Sequence, residues 1–308
     1  MKKIFSTILF VFAGLSLAGV LFFGIRQFLA KLAIERELRS GPISNNFPQV
    51  TSHLEIIPLY DEASVSADFI SGHGVSYLIR TDSSTILLDV GGNPDELPVA
   101  PFMQNMQKLD IDWDEIDRIV ISHSHPDHIG GTQAWKNHTV SIGDLELPVA
   151  LGDRLIFVPT PVKFKGAIHA TIPTLAAPDV ATTGVVSYLE VWPLSLFAPK
   201  GGEQALVVHV AGHGLVLITG CGHPGLEHLV VRAESLYGEK VVGVVGGLHY
   251  LNAKAEELQP QIRFLQSRQL ELVALSSHDS GPVALSAFES VFPNVYQTLT
   301  VGEAILFP

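Results

Sequence analysis

The chain opens on an unbroken apolar run. Residues 4–25 carry no charge and follow Lys2-Lys3. At about 1.5 Å of rise per residue, a helix of that length crosses a bilayer. A cleaved leader with Ser16-Leu17-Ala18 as its small-residue site is the competing reading. The run continues past Ala18, however, beyond the usual length of a leader's apolar core. Over 26–39 the pattern changes. Phe28, Leu29, Leu32, Ala33 and Leu38 fall among charged positions, which predicts an amphipathic helix at a membrane surface. Residues 41–49, rich in Pro, Asn and Gly, read as a linker.

Beyond the linker, strand-like and helix-like patterns alternate. Runs at 75–81 and 85–90 flank a polar Asp82-Ser83-Ser84 turn, which predicts a hairpin. Short apolar runs at 117–122, 205–210, 215–218, 240–245 and 270–275 read as buried strands. Apolar positions at helical spacing (Leu226, Leu229, Val230, Leu236) predict a helix over 226–237, and 255–268 reads as a second. Strands alternating with helices predict an α/β domain. The stretch 158–202, rich in Pro, Ala and Thr, reads as an insertion that covers a cleft. The chain thus divides into an anchor and juxtamembrane helix over 1–40, a linker over 41–52 and one large domain over 53–308.

Composition narrows the function. Net charge is −12 and no basic face is visible, which argues against a nucleic-acid partner. Cys221 is the only cysteine, so an intrachain disulfide is impossible.

The chemistry concentrates in ISHSHPDHIGG at 121–131. His123, His125, Asp127 and His128 fall within six positions, and imidazole with carboxylate suits zinc and similar divalent cations. His123 and His125, two apart, point the same way from an extended chain. Asp127 and His128 follow Pro126, where the chain turns, and can serve a second position. Gly130 and Gly131 are expected to let the backbone pass close to whatever the ligands hold. Further along, strands end at Cys221 and His223, at His249 and at His278. Ligands in α/β folds gather at that edge of the sheet.

HxHxDH after a strand resembles the metallo-β-lactamase superfamily of metal-dependent hydrolases, over roughly residues 53–308. The resemblance implies a four-layer αββα sandwich. It implies that Asp89 supports the metal loop from behind the ligands. In most of the superfamily the strand at 215–218 would end in Thr-Gly-Asp, with a bridging aspartate. Here Thr219-Gly220 leads to Cys221, which either ligates metal or is a buried small hydrophobe. TGCxH, GGxH and a terminal HxxG resemble the branch of 7,8-dihydropterin-6-methyl-4-(β-D-ribofuranosyl)aminobenzene 5′-phosphate synthase-like proteins. That branch usually has Cys after the last histidine, whereas this chain has Asp279. Glu203 matches an acidic position of the branch, and His73 is expected at the site mouth.

The resulting expectation is a pair of zinc ions, with manganese or iron as alternatives. One takes His123, His125 and His223; the other takes Asp127, His128 and His278. His249 is a further ligand or a substrate contact. A metal-bound hydroxide would attack a phosphoester or other small anionic ester, with Asp127 ligating and orienting the nucleophile. A pterin-related transferase and a non-catalytic metal sensor are the alternatives. The N-terminal run implies membrane attachment, with the catalytic domain outside the cytoplasmic membrane, periplasmic or extracellular.

Overall fold

The computed structural model describes residues 2–39, 48–144, 151–163, 166–190, 194–196 and 198–307, and the side chains of its first helix over 18–37. The chain forms two compact units. Residues 1–41 and 187–202 make the smaller, and 42–186 with 203–308 the larger.

In the smaller unit, helix α1 (Lys2–Arg39) is continuous. Among the described residues, no helix is long and apolar enough to cross a membrane. The expected transmembrane helix is therefore not supported. Its first half, 4–17, lies outside the described side chains. From residue 26 onward α1 carries Arg26, Lys31, Glu35, Arg36 and Glu37, charges that a bilayer core disfavours. Two of these are tied within the unit instead. Arg26 donates to the Leu196 carbonyl (2.9 Å), and Lys200 pairs with Glu37 (2.6 Å).

The larger unit is built on two sheets. One contains β1 (Val50–Thr51), β8 (Leu175–Ala177), β9 (Val180–Thr182), β12 (Leu206–Val210), β13 (Gly214–Ile218), β14 (Val241–Gly246), β15 (Leu272–Leu275) and β16 (Tyr296–Thr298). Its order is β16-β15-β14-β13-β12-β9-β8, with β1 parallel beside β12. The other contains β2 (Leu54–Tyr60), β3 (Ser76–Thr81), β4 (Thr85–Leu88), β5 (Arg118–Val120), β6 (Leu155–Val158), β7 (Ala167–His169) and β17 (Ile305–Phe307), in the order β17-β2-β3-β4-β5-β6-β7. The remaining strands, β10 (Val186–Leu189) and β11 (Lys200–Glu203), pair with each other.

Strand alternation sorts the side chains into layers. On β3, Tyr77 and Ile79 face the core shared with Val208, Val216 and Ile218 of the first sheet. Leu78, between them, faces the opposite way, into a second core with Phe102 and Met106 of α2 (Pro101–Lys108) and Ala134 of α3 (Thr132–Asn137). On the far side, α4 (Leu226–Tyr237) packs on β13 and β14, and α6 (Pro282–Val291) on β16. Between them in sequence, α5 (Ala255–Gln266) contacts both. The order is helix, sheet, sheet, helix.

Two expectations change. Of the linker at 41–52, residues 41–47 lie outside the described residues, while Val50–Thr51 pair with His209 and Val210. The stretch 158–202 is no single insertion, because β7 extends one sheet and β8 and β9 the other.

The topology gathers the chemistry at one rim. Strands β13, β14 and β15 run parallel, so their ends deliver 221–223, 249 and 278 to the same edge. Strands β4 and β5, also parallel, deliver Asp89 and the 121–128 loop.

Candidate metal centre

The loop after β5 is fixed by backbone hydrogen bonds. His128 N–H donates to the His125 carbonyl (3.1 Å) and Val90 N–H to the His128 carbonyl (3.0 Å). Gly130 has φ +91, and a Cβ there would collide with the Ser141 carbonyl. The expected glycine approach to a ligand is thus an approach to neighbouring backbone.

Three imidazoles form the first cluster: His123, His125 and His223. His123 Nε2 is 3.2 Å from His125 Nδ1 and 3.1 Å from His223 Nε2. The tautomer of His123 follows from its other side. Ser122 Oγ donates its one proton to Asp89 Oδ2 (2.6 Å), so it accepts from His123 Nδ1–H (2.9 Å). The Nε2 lone pair then faces the two other rings. One lone pair cannot accept from both, whereas a cation among the three nitrogens satisfies all of them. Burial, followed by the neighbouring imidazoles, holds His123 well below the ordinary histidine value. Burial and His249 lower His223 to about 2. Both rings are therefore neutral and available as ligands.

The second cluster joins Asp127, His128, Cys221 and His278. Asp89 accepts from His128 Nδ1 (2.7 Å), turning its Nε2 toward Cys221 Sγ at 3.0 Å. Asp127 Oδ2 lies 3.0 Å from His278 Nε2 and 3.5 Å from His128 Nε2. His278 Nε2 is buried, and its close charged contacts among the described residues are the ion pairs with Asp127 and, at 3.7 Å, with Asp279, neither of which has hydrogen-bond alignment. A buried ring nitrogen without an aligned hydrogen bond, beside a carboxylate, an imidazole and a thiol, suits a cation position. Burial opposes ionisation of Asp127, but His128 and His278 outweigh it and hold its carboxyl well below the usual range. Burial, reinforced by Glu203 and other carboxylates, pushes the Cys221 thiol up, so a cation is needed to ionise it.

Asp89 sits behind both clusters. It is fully buried at φ +58, a left-handed conformation that aspartate tolerates better than most residues. Its Oδ1 accepts from Ser122 N–H (2.6 Å). A Cβ on Gly220 would strike Ser122 Oγ, so the glycine of Thr219-Gly220-Cys221 is what lets the two strand ends meet.

Other expected residues find different places. His249 stacks on His223, with ring centroids 4.0 Å apart, and its Nδ1 is 3.4 Å from Asp279 Oδ2. It joins neither cluster. Glu203 is fully buried and accepts from Thr219 Oγ1 (2.5 Å), Gly222 N–H (3.0 Å) and His223 N–H (2.8 Å). It shapes the turn that presents His223. His73 lies at the mouth, 3.5 Å from Asp127 Oδ2.

Three residues had no role in the sequence reading, though Asp279 was noted as a departure from the branch. Asp279 forms a further candidate set with His73, Asp127 and His278. Buried Asp61 accepts from Tyr77 Oη (2.9 Å) and Ser276 Oγ (2.7 Å), and Ser276 Oγ accepts from His278 N–H (3.0 Å). Glu62 Oε1 lies 3.0 Å from His73 Nδ1 and 3.4 Å from His278 Nδ1. Gly74 N–H also points at His278 Nδ1 (3.1 Å). The amide favours a lone pair there and the carboxylate a proton; a cation on Nε2 selects the tautomer that faces Glu62. Acidic Asp61-Glu62 directly after a buried strand was the available signal, the same one that singles out Asp89.

A cleft of about 550 Å³ opens beside the second cluster, walled by His73, Asp127, Asn93, Glu96, Gln133 and Asp144 among others. Among the described lining residues there is no Lys or Arg.

Comparison with known proteins bears on the family and the fold. A curated relative, 7,8-dihydropterin-6-methyl-4-(beta-D-ribofuranosyl)-aminobenzene-5′-phosphate synthase of Methanocaldococcus jannaschii, is 25% identical over 80% of this chain and 94% of its own length. The solved structure of Tm1679, a metal-dependent hydrolase of the beta-lactamase superfamily, has a TM-score of 0.58 at 21% identity, covering 82% of this chain and 98% of its own. The metallo-beta-lactamase fold protein YhfI from Bacillus subtilis has a TM-score of 0.53 at 12% identity, covering 83% of this chain and 100% of its own. At such identities these two structures establish the fold. Residues 71–233, more than half of the chain, match the metallo-beta-lactamase superfamily. This chain belongs to that superfamily.

Proposed function

We propose that the protein is a metal-dependent hydrolase whose substrate is a small anionic ester, with a phosphoester as the best fit. The reading rests on one observation above all: Asp127 belongs to the second ligand cluster and also walls the cleft. His123, His125 and His223 would hold one divalent cation; Asp127, His128, Cys221 and His278 would hold the other. Such cations supply Lewis acidity, which acidifies water and neutralises charge on a reacting oxygen.

The chain's own residues do the rest. Asp127 stays ionised and can accept a hydrogen bond from a water placed in the cleft, which orients that water. Asp89 fixes the His128 ring and Glu203 the backbone turn that carries His223, so the centre is preorganised. With no basic side chain among the described lining residues, negative charge on a substrate is best met at the ligand clusters. Glu96 and Asp144, both exposed on the cleft wall, disfavour a second negative group elsewhere in the cleft. The substrate class that fits is therefore an ester with its charge confined to the reacting end. Zinc is the first choice of cation, with manganese and iron as alternatives for these ligands.

The curated relative supports a second reading, a transferase joining a pterin-bearing group to an arylamine. A screen separates the two. Chain reloaded with zinc, manganese or iron is offered phosphomonoesters, phosphodiesters and carboxylic esters. Turnover without an amine, abolished by Asp127→Ala, supports the hydrolase. Product formed only when an arylamine is present supports the transferase.

A further inference from the structure

Two sets of donors converge on His278 Nε2. On the inner side lie His128 Nε2 and Cys221 Sγ, 3.0 Å from each other. On the outer side lie His73 Nε2, 3.5 Å from Asp127 Oδ2, and Asp279 Oδ2, 3.7 Å from His278 Nε2. Asp127 Oδ2, 3.0 Å from His278 Nε2, belongs to both. Within each set the donor atoms all lie within 4.8 Å of one another, so bonds of about 2.0–2.2 Å to a common ion, which span about 4.4 Å at most, draw the widest pairs slightly together.

We propose that the second cation position is two overlapping positions: an inner one closed by His128 and Cys221, and an outer one closed by His73 and Asp279 that takes an oxygen-preferring divalent cation such as Mn2+. This rests on the reading that the clusters hold metal at all.

The chemistry of the two sets differs by one atom. The inner set offers two nitrogens, one oxygen and one sulfur; the outer offers two nitrogens and two oxygens. A thiolate favours softer cations such as zinc, whereas a second carboxylate favours harder ones such as manganese. The outer ligands are held for the task. Glu62 Oε1, 3.0 Å from His73 Nδ1, keeps a proton on that nitrogen and turns the Nε2 lone pair toward Asp127. The Asp279 carbonyl accepts from Tyr250 N–H (2.8 Å), which fixes the backbone that carries the carboxylate. His278 Nε2 is buried without an aligned hydrogen bond among the described residues, and it has a single lone pair, so it serves one position at a time. The two positions exclude each other, and their sum stays at one cation. They also differ in access. The outer one borders the cleft, which His73 and Asp127 wall, while His128 and Cys221 are fully buried. The identity of the cation thus decides whether charge is presented at the cleft or behind it.

The test uses the full chain, stripped of metal and titrated separately with Zn2+ and Mn2+. Bound Mn2+ is read by electron paramagnetic resonance and zinc by elemental analysis. A Co2+-loaded sample reports sulfur ligation through its thiolate-to-cobalt absorption. His73→Ala and Asp279→Asn are expected to weaken Mn2+ binding roughly 10–100-fold; His73→Ala should leave zinc content and the cobalt–thiolate band intact, whereas Asp279→Asn, whose carboxylate also lies 3.7 Å from Cys221 Sγ, should keep zinc but shift the band. Cys221→Ala is expected to do the reverse, abolishing the band and weakening zinc while Mn2+ binding holds. His73 is exposed and Asp279→Asn is isosteric, and equal thermal melts of the metal-free proteins confirm that each variant is folded. Parallel loss of both metals in all three variants, or unchanged Mn2+ binding in His73→Ala and Asp279→Asn, overturns the proposal. Wild-type chain that holds no more Zn2+ or Mn2+ than a His123→Ala/His128→Ala chain overturns the metal-centre reading itself, and the proposal with it.

Discussion

Asp89 and His128 are joined by a buried 2.7 Å contact, and the same Asp89 oxygen accepts from Ser122 Oγ at 2.6 Å. Ser122 in turn accepts from His123 Nδ1. One carboxylate therefore sets the ring orientation of an imidazole in each cluster. Asp89→Ala is expected to weaken metal binding at both positions, by about 10–100-fold each, although Asp89 belongs to neither ligand set. Competition titration with a chromophoric chelator checks this; loss at one position alone would break the link.

Glu203 acts through the turn backbone instead of through a ring. Its carboxylate accepts three hydrogen bonds from the turn that presents His223. Glu203→Gln turns an amide donor toward these donors, leaving at least one buried group unsatisfied. Stability should fall by about 1–3 kcal/mol. Binding at the three-histidine cluster should weaken, and the Cys221 cobalt–thiolate band should shift, because the same turn carries Cys221 and Glu203 raises its thiol. Denaturant unfolding and the cobalt spectrum read the two effects separately.

Gly220→Ala tests the meeting of strand ends. A Cβ at residue 220 would strike Ser122 Oγ and lie 3.0 Å from Asp89 Oδ2. It should therefore mimic Asp89→Ala in metal content, although no ligand and no carboxylate has been removed. Metal analysis of the dialysed variant decides it.

Metal binding at the second cluster should release a proton. Burial opposes charge on His278, but Asp127 and Glu62 overcome it and push the ring up to about 10. The metal-free ring is therefore cationic near neutral pH, and a cation on Nε2 must displace its proton. Affinity should rise as pH rises toward 10. The raised value also stabilises the metal-free fold at low pH, and that contribution is lost as pH rises through about 10. Calorimetry in buffers of different ionisation enthalpy counts the protons, and His278→Gln should remove this one.

Much of this was legible in the chain because strand ends announce themselves. Buried runs at 117–122, 215–218 and 240–245 gave β5, β13 and β14 within a residue or two. The helix at 226–237 coincides with α4. HxHxDH sorted its own ligands, since residues two apart on an extended segment share a face. Other features depended on contacts distant in sequence. Asp279 gains its place from His278 and from His73, some two hundred positions away. Glu62 reaches His278 across a similar gap. His249 ends its strand as the others do, but its φ of +52 and its stacking on His223 set it apart from both clusters. The N-terminal expectation of a spanning helix is not supported among the described residues, and on the second half of α1 Arg26 and Glu37 pair within their own unit.

The central claim is that two groups of side chains, far apart in the chain, each hold a divalent cation. Elemental analysis of the purified chain beside His123→Ala and His128→Ala tests it most directly. Up to two metals per wild-type chain, falling by about one in each variant, is the predicted result. A His123→Ala chain that keeps both metals would contradict it.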